Sequence, residues 1–359
     1  MDGLRAVAVG LVIVYHAGLE IPGDLGVTGF FVLSGFLITW LLLAEHDRTG
    51  GVSLRSFYLR RTLRIFPAYY AFVLFSLASD RLLGDGWTPG QTWSIFGYGV
   101  NYYNAFNNHE GPIPHAWSLA VEEQFYLLWP AAFLLLVRRG ERALRWGLAG
   151  LILAVLAWRS WLYLGAGAPA AYVYNAFDTR FDSLAVGCLL AALLRLPAVV
   201  RAAAPLGAQP WFVLGTLVLL AVSRSMLGEG WHYSAGFTAD SLLIAVLVVQ
   251  LLLVHRSTLW RWLDWRPVAY LGALSYPLYL WHMVGSAIGH RIPGIPPGLD
   301  PVAGVLASIA LAAGSYHLLE QPILRLRPML EARLVGRNAT PAGSSAPSGI
   351  VVPSASVPG

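Results

Sequence analysis

His16 lies inside the first apolar segment of the chain, Leu4 to Leu19, eleven positions after Arg5. An ionisable ring within a membrane is costly, so it is expected to face a polar cavity and mark a functional path. At 1.5 Å of helical rise per residue the two stand about 16 Å apart, with Arg5 at the membrane boundary and His16 beyond the middle. Histidine titrates near neutral pH, and a carboxylate orienting it would let it take the proton of a hydroxyl. Glu122, about 8 Å into a later segment by the same rise, is the acid at matching depth. Arg180, Asp182 and a second histidine, His282, fall in that layer too, and Trp117 stands beside it. Arg5, Arg60, Arg61, Arg64 and Arg266 occupy the opposite boundary, where guanidinium forks suit phosphates. A phosphate anchor on one side and a base within the membrane fit a long donor such as an acyl-CoA, its thioester presented near His16.

Each of these residues also has a plainer reading. His16 could be structural, and Arg60, Arg61 and Arg64 could simply fix topology. Arg180 and Asp182 could neutralise one another as a buried pair. Trp117 and Tyr126 fit anchoring at the membrane interface or packing. Ser34, in the string FFVLSGF, reads as close helix packing beside Gly35 rather than as a nucleophile. Glu320, ahead of Gln321-Pro322, is expected to end the last span.

These residues need a scaffold of helices. The 359 residues are 57% apolar and only 12% charged, about half the charge of a soluble domain. Apolar runs of spanning length recur at 4–20, 25–45, 65–83, 117–137, 144–165, 174–195, 211–227, 238–255, 267–289 and 301–320. The expected fold is therefore all-α, a polytopic helical membrane bundle of about ten spans, rather than a barrel of short alternating segments. The linkers after spans two, four, six and eight, and the tail, carry most of the Arg, which puts both termini in the cytoplasm. The aromatic stretch Gln91–Phe106 reads as a short interfacial or re-entrant helix. Residues 1–333 form the expected transmembrane domain. Residues 334–359, rich in Pro, Ser, Ala and Gly, form an expected disordered cytoplasmic tail.

All 24 basic residues are Arg, so the basic balance reads as codon usage and topology rather than as nucleic-acid binding. A single cysteine, Cys188, excludes an internal disulfide and a Cys-rich metal site. No cleavable signal peptide is evident in the opening stretch.

Six strings, in order, resemble the acyltransferase-3 family of membrane proteins. They are MDGLRAVAVGLVIVYH, GVTGFFVLSGFLIT, FYLRRTLRIFP, WSLAVEEQFYLLWP, DTRFDSLAVGCLLA and LGALSYPLYLWH. The resemblance runs from Met1 to about Arg327 and implies O-acylation of bacterial surface glycans or of some secondary metabolites. It implies a ten-span bundle in the bacterial cytoplasmic membrane and a cytoplasmic acetyl-CoA donor, with no tightly bound cofactor and no metal. The family's Arg-x10-His motif falls on Arg5 and His16, the latter resembling the catalytic histidine. Its Arg-x-x-Arg motif falls on Arg61 and Arg64, implied to engage the acyl-CoA, and its essential glutamate on Glu122. Arg180, Asp182, His282 and Trp117 are the expected acceptor-binding residues. The expected acceptor is a hydroxyl of a surface polysaccharide, lipid-linked glycan or peptidoglycan, with a glycosylated metabolite such as a macrolide as the variant. Some members fuse a soluble esterase-like domain to the bundle; here a separate partner outside the membrane, or the bundle itself, is expected to complete delivery. A proton-coupled transporter is the reading from another class, because it too would place His, Glu, Arg and Asp within the membrane.

Overall fold

The computed structural model describes residues 1–83, 86–107, 111–208, 210–254, 260–296 and 298–334. Of the expected disordered tail, 334–359, only Leu334 is described, as the last residue of a helix; the rest lies outside the described residues. The described residues are helical throughout, with no strand among them. In chain order the helices are α1 (Asp2–His16), α2 (Gly23–Thr49), α3 (Leu54–Leu83), α4 (Pro89–Phe96), α5 (Val100–Asn107) and α6 (Ala116–Val137). Then come α7 (Glu141–Ser160), α8 (Ala170–Asn175), α9 (Phe177–Leu193), α10 (Pro197–Ala208), α11 (Pro210–Ser225), α12 (Gly228–Trp231) and α13 (Phe237–Val254). The chain closes with α14 (Arg266–Ala273), α15 (Ser275–Arg291), α16 (Asp300–Ser315), α17 (Gln321–Arg325) and α18 (Arg327–Leu334). Wider π turns extend three of these runs, at Trp161–Gly165, His232–Gly236 and Tyr316–Glu320.

Among the described residues, six helical stretches are long and apolar enough to cross a membrane: 23–49, 54–79, 116–137, 141–165, 228–252 and 300–333. A seventh is added if Ala170–Leu193 and Pro197–Pro205, bent by 105°, count as one span. The protein is thus a multi-pass helical membrane protein. The three other expected spans are helical but short. α1 has 15 residues and α11 has 16, about 22 to 24 Å at 1.5 Å each, against about 30 Å of hydrocarbon. The expected span 267–289 is broken at Leu274 into α14 and α15. Pro277 accounts for the break: its ring displaces the carbonyl of Ala273 and supplies no N–H to it. Gln91–Phe106 forms two eight-residue helices, α4 and α5, each far too short to span. They meet at Tyr98, whose backbone is left-handed (φ 51°), and Gln124 braces that corner by donating to the Tyr98 carbonyl at 2.9 Å.

The chain divides into two units. The first comprises residues 1–23, 53–88 and 266–350; the second comprises 24–52, 89–265 and 351–359. Close helix packing builds each from within. In the first, a Cβ on Gly272 would lie 2.0 Å from the Asp2 carbonyl oxygen, so α14 presses on the start of α1. Cβ atoms on Gly285 and Gly289 would come within 2.1 Å of Ser308 Oγ and 2.4 Å of the Gly304 nitrogen, so α15 and α16 touch backbone to backbone. In the second, a Cβ on Gly35 would meet the Leu184 carbonyl and one on Gly187 the Val32 carbonyl, each at 2.0 Å. This is small-residue packing, which lets helices approach where lipid offers no hydrophobic drive. The core of the second unit is aromatic and aliphatic, with Phe36, Phe125 and Phe133 fully buried.

Candidate functional site: two histidines and two arginine sites

In the first unit, His16 is the last residue of α1 rather than a mid-helix residue. Gly18, in the left-handed region at φ 93°, turns the chain immediately afterwards. The ring is half-buried, and its Nδ1 lies 2.8 Å from the carbonyl of Val12, one turn earlier. A carbonyl only accepts, so Nδ1 carries a proton, and in the neutral tautomer Nε2 is the nitrogen that can accept one. His282 on α15 repeats the device, with Nδ1 2.8 Å from the Tyr279 carbonyl. The two rings meet edge to face with centroids 4.8 Å apart. Ser308 on α16 steadies this corner by donating to the carbonyls of His282 (3.2 Å) and Gly304 (2.7 Å). His16, Ala17, His282, Ser286 and Ser308 line a small cavity whose inner space, about 10 Å³, is that of roughly one water oxygen. A hydroxyl there would sit against a ring nitrogen able to accept its proton.

The basic face of the same unit lies on α3 and α1. Arg61 and Arg64 stand three residues apart and so share one side of α3, Arg61 half-buried and Arg64 exposed. Arg5 on α1 lies 3.8 Å from Asp2. Arg60 donates to Ser56 at 2.5 Å and pairs with Glu331 at 3.6 Å.

In the second unit, Glu122 on α6 accepts hydrogen bonds from Ser34 of α2 (2.8 Å) and from Tyr126 one turn on (3.3 Å). Beside Gly35, which makes the close crossing expected of this string, Ser34 also reaches the carboxylate. The plainer reading of Arg180 and Asp182, as a mutually neutralising pair, does not hold. Residues two apart on a helix face different sides, and the two side chains diverge. Asp182 instead pairs with Arg159, whose Nη1 lies 3.0 and 2.9 Å from its two oxygens, both residues being fully buried. Arg159 also donates to the carbonyls of Thr179 and Ser234, each at 2.7 Å, and to Thr238, whose hydroxyl in turn donates to Asp182. The π turn at 232–236 contains the Ser234 carbonyl that this fork reaches.

Arg180 is fully buried among rings. Its guanidinium carbon lies 3.6 Å from the Phe237 centroid, 5.3 Å from Tyr174, 5.5 Å from Trp117 and 5.9 Å from Phe31. Trp117, read from sequence as an interfacial anchor or an acceptor contact, is 6% exposed and forms one wall of this cage. A further polar cluster escaped the sequence reading. Asp178 accepts from Trp158 (2.8 Å), Tyr102 (3.2 Å) and Tyr172 (3.2 Å). Burial, and then Asp178, pushes the Tyr102 phenol up to about 12, so it remains a donor at neutral pH. Arg159 and Asp178 were visible only as single charges near expected span ends; nothing in the linear spacing links them to partners 20 or 76 residues away. Among the described residues no cluster of three or more His, Cys, Asp or Glu could hold a metal ion.

Comparison with known proteins joins these observations. YrhL of Bacillus subtilis (strain 168), which carries the provisional name of a peptidoglycan O-acetyltransferase, is 33% identical over 351 residues. OatA of Staphylococcus aureus (strain NCTC 8325 / PS 47), named an O-acetyltransferase, is 31% identical over 351 residues. Each alignment covers 90% of this chain but only 54% of YrhL and 56% of OatA, so the chain spans just over half the length of these relatives. No solved structure matches it. A family model described as an acyltransferase domain matches residues 1–317, and the chain belongs to that acyltransferase family.

Proposed function

We propose that this protein is a membrane O-acetyltransferase that moves an acetyl group from acetyl-CoA to a hydroxyl of an envelope glycan. The observation that carries the reading is the placement of His16: its Nδ1 meets the Val12 carbonyl at 2.8 Å, and the residue lines a cavity with room for about one water oxygen. In the step proposed, Nε2 takes the proton of the acceptor hydroxyl as its oxygen attacks the thioester carbonyl. The C–O bond forms, the C–S bond breaks, and the imidazolium returns its proton to the departing thiolate, so free CoA leaves as a thiol. A two-stage route, with the acetyl group first carried on His16, has the same balance. His282 shares the cavity and serves as the acceptor-facing neighbour. Glu122 is proposed as a second essential group, held as a carboxylate acceptor by Ser34 and Tyr126. Arg61 and Arg64, with Arg5, are proposed to take the donor's phosphates through charge-assisted hydrogen bonds.

The names of the relatives support a glycan of the cell wall as acceptor, and the apolar helices support action at a bacterial cytoplasmic membrane. Ten spans with both termini cytoplasmic, a separate delivery partner outside and a glycosylated metabolite as variant acceptor belong to the same proposal. Arg61→Gln with Arg64→Gln tests the donor assignment, followed as acceptor-dependent release of CoA thiol from membrane vesicles. The Michaelis constant for acetyl-CoA should rise at least tenfold while that for the acceptor holds; equal constants in wild type and variant would remove these arginines from donor binding.

A further inference from the structure

Arg180 is fully buried, and none of its three guanidinium nitrogens has a hydrogen-bond partner. Its five N–H donors lie in the plane of the guanidinium, so rings packed on its faces moderate the charge but leave those donors open. Buried polar groups in folded proteins are almost always paired, and each exception calls for a missing partner. Three buried or half-buried carboxylates of the same unit are already taken. Arg159 and Thr238 hold Asp182, while Arg224 holds Asp24 and also Asp240, the latter at 3.3 Å. Among the described residues, Asp24 and Asp182 act on Arg180 only through space, and none hydrogen-bonds a fork shaped for two oxygens of one anion.

The cage has one weak wall. Phe31, Trp117 and Phe237 are 1%, 6% and 0% exposed, whereas Tyr174 is only half-buried. Tyr174 sits on the six-residue α8, which ends at Ala176 in extended backbone before α9 begins. Tyr174 is therefore the most exposed wall of the cage.

We infer that Arg180 receives an oxyanion carried by the acceptor, a carboxylate or a phosphate, which enters past Tyr174 and takes the in-plane N–H donors of the guanidinium. This rests on the reading of the acceptor as a glycan, and it names the chemical class that glycan must belong to. A neutral sugar would leave the buried charge unanswered, so acceptors without an anionic group should be poor ligands.

The test is equilibrium binding to purified full-length protein in lipid nanodiscs, with acetyl transfer followed in the same samples. Three probes share one sugar: a glycan fragment with free carboxylates, the same fragment with every carboxyl converted to a primary amide, and the sugar linked through a diphosphate to a lipid. Wild type should bind at least one charged probe tenfold or more tighter than the amide, and which one tells carboxylate from phosphate. Arg180→Gln should reduce that preference to within twofold, with Arg180→Lys intermediate because it keeps charge without the fork, and acetyl-CoA binding unchanged in both. A wild-type preference below tenfold overturns the inference, even if neither variant folds. So does a preference that survives Arg180→Gln, or an equal loss of acetyl-CoA binding. A tenfold wild-type preference that Arg180→Gln removes, but without acetyl transfer by wild type, would instead sink the acetyltransferase reading alone.

Discussion

Removing the His16 imidazole should lower acetyl transfer by about 10²–10⁴-fold, the range a positioned proton-transfer group contributes. The ring closes no core, since it caps the end of α1 and faces a cavity, so His16→Ala should retain the thermal stability of wild type in detergent. A large fall in stability together with activity would make the ring structural. Glu122→Gln keeps shape and the Ser34 contact while removing charge, and should also abolish transfer. Ser34→Ala should cost less, and should act through Glu122: in the Glu122→Gln background it should have no further effect on turnover. A separate loss from Ser34→Ala in that background would give Ser34 a role of its own. At this scale the sequence was informative about types and poor about partners. His16, His282 and Glu122 stand out because ionisable groups in apolar runs are rare. The Ser34–Glu122 bond joins residues 88 apart and has no linear signature.

The helices carry two further predictions. Arg159 and Asp182 tie α7, α9 and the 232–236 π turn together inside a fully buried network. Arg159→Met would strand the Asp182 carboxylate and should destabilise the protein by about 3–5 kcal/mol, read as a lowered melting temperature. Arg159→Met with Asp182→Leu should recover most of that loss, because removing both charges removes the penalty; no recovery would mean the pair does not act as a unit. Gly187→Val should break the α2–α9 crossing, where even a Cβ would meet the Val32 carbonyl at 2.0 Å. The expected result is aggregated or degraded protein, and a monodisperse Gly187→Val protein with wild-type melting would refute the crossing. Helix existence was legible because apolar runs of this length have no other stable form in lipid. Helix ends were less so: Gly18 closes α1 at His16, and Pro277 splits the ninth expected span, both through local backbone constraints that a hydropathy pattern does not register. The alternative reading of Arg180 and Asp182 as a pair does not hold, because residues two apart lie on different sides of a helix.

Across the whole molecule, composition alone identified a helical membrane protein, since a chain with 12% charged residues cannot cover a soluble surface. The number of crossings is the harder quantity. Six or seven stretches qualify by length and composition, and α1, α11 and α15 reach the expected ten only as short helices. The positive-inside pattern still predicts sidedness. Cys188 is buried and is the sole cysteine, so single cysteines can be placed in a Cys188→Ala background and probed with an impermeant thiol reagent. Cysteines at Arg48 and Arg139 should label only from the cytoplasmic side and one at Glu229 only from the other; the same side for all three would rule out the ten-span topology.

The account turns on acetyl transfer through His16. Membrane vesicles holding wild-type or His16→Ala protein, supplied with radiolabelled acetyl-CoA and envelope glycans, provide the direct measurement. Label should appear in the glycan as an alkali-labile ester with wild type and fall to background with His16→Ala. Equal labelling by both proteins would contradict the mechanism, and no labelling of any glycan by well-folded wild type would contradict the function.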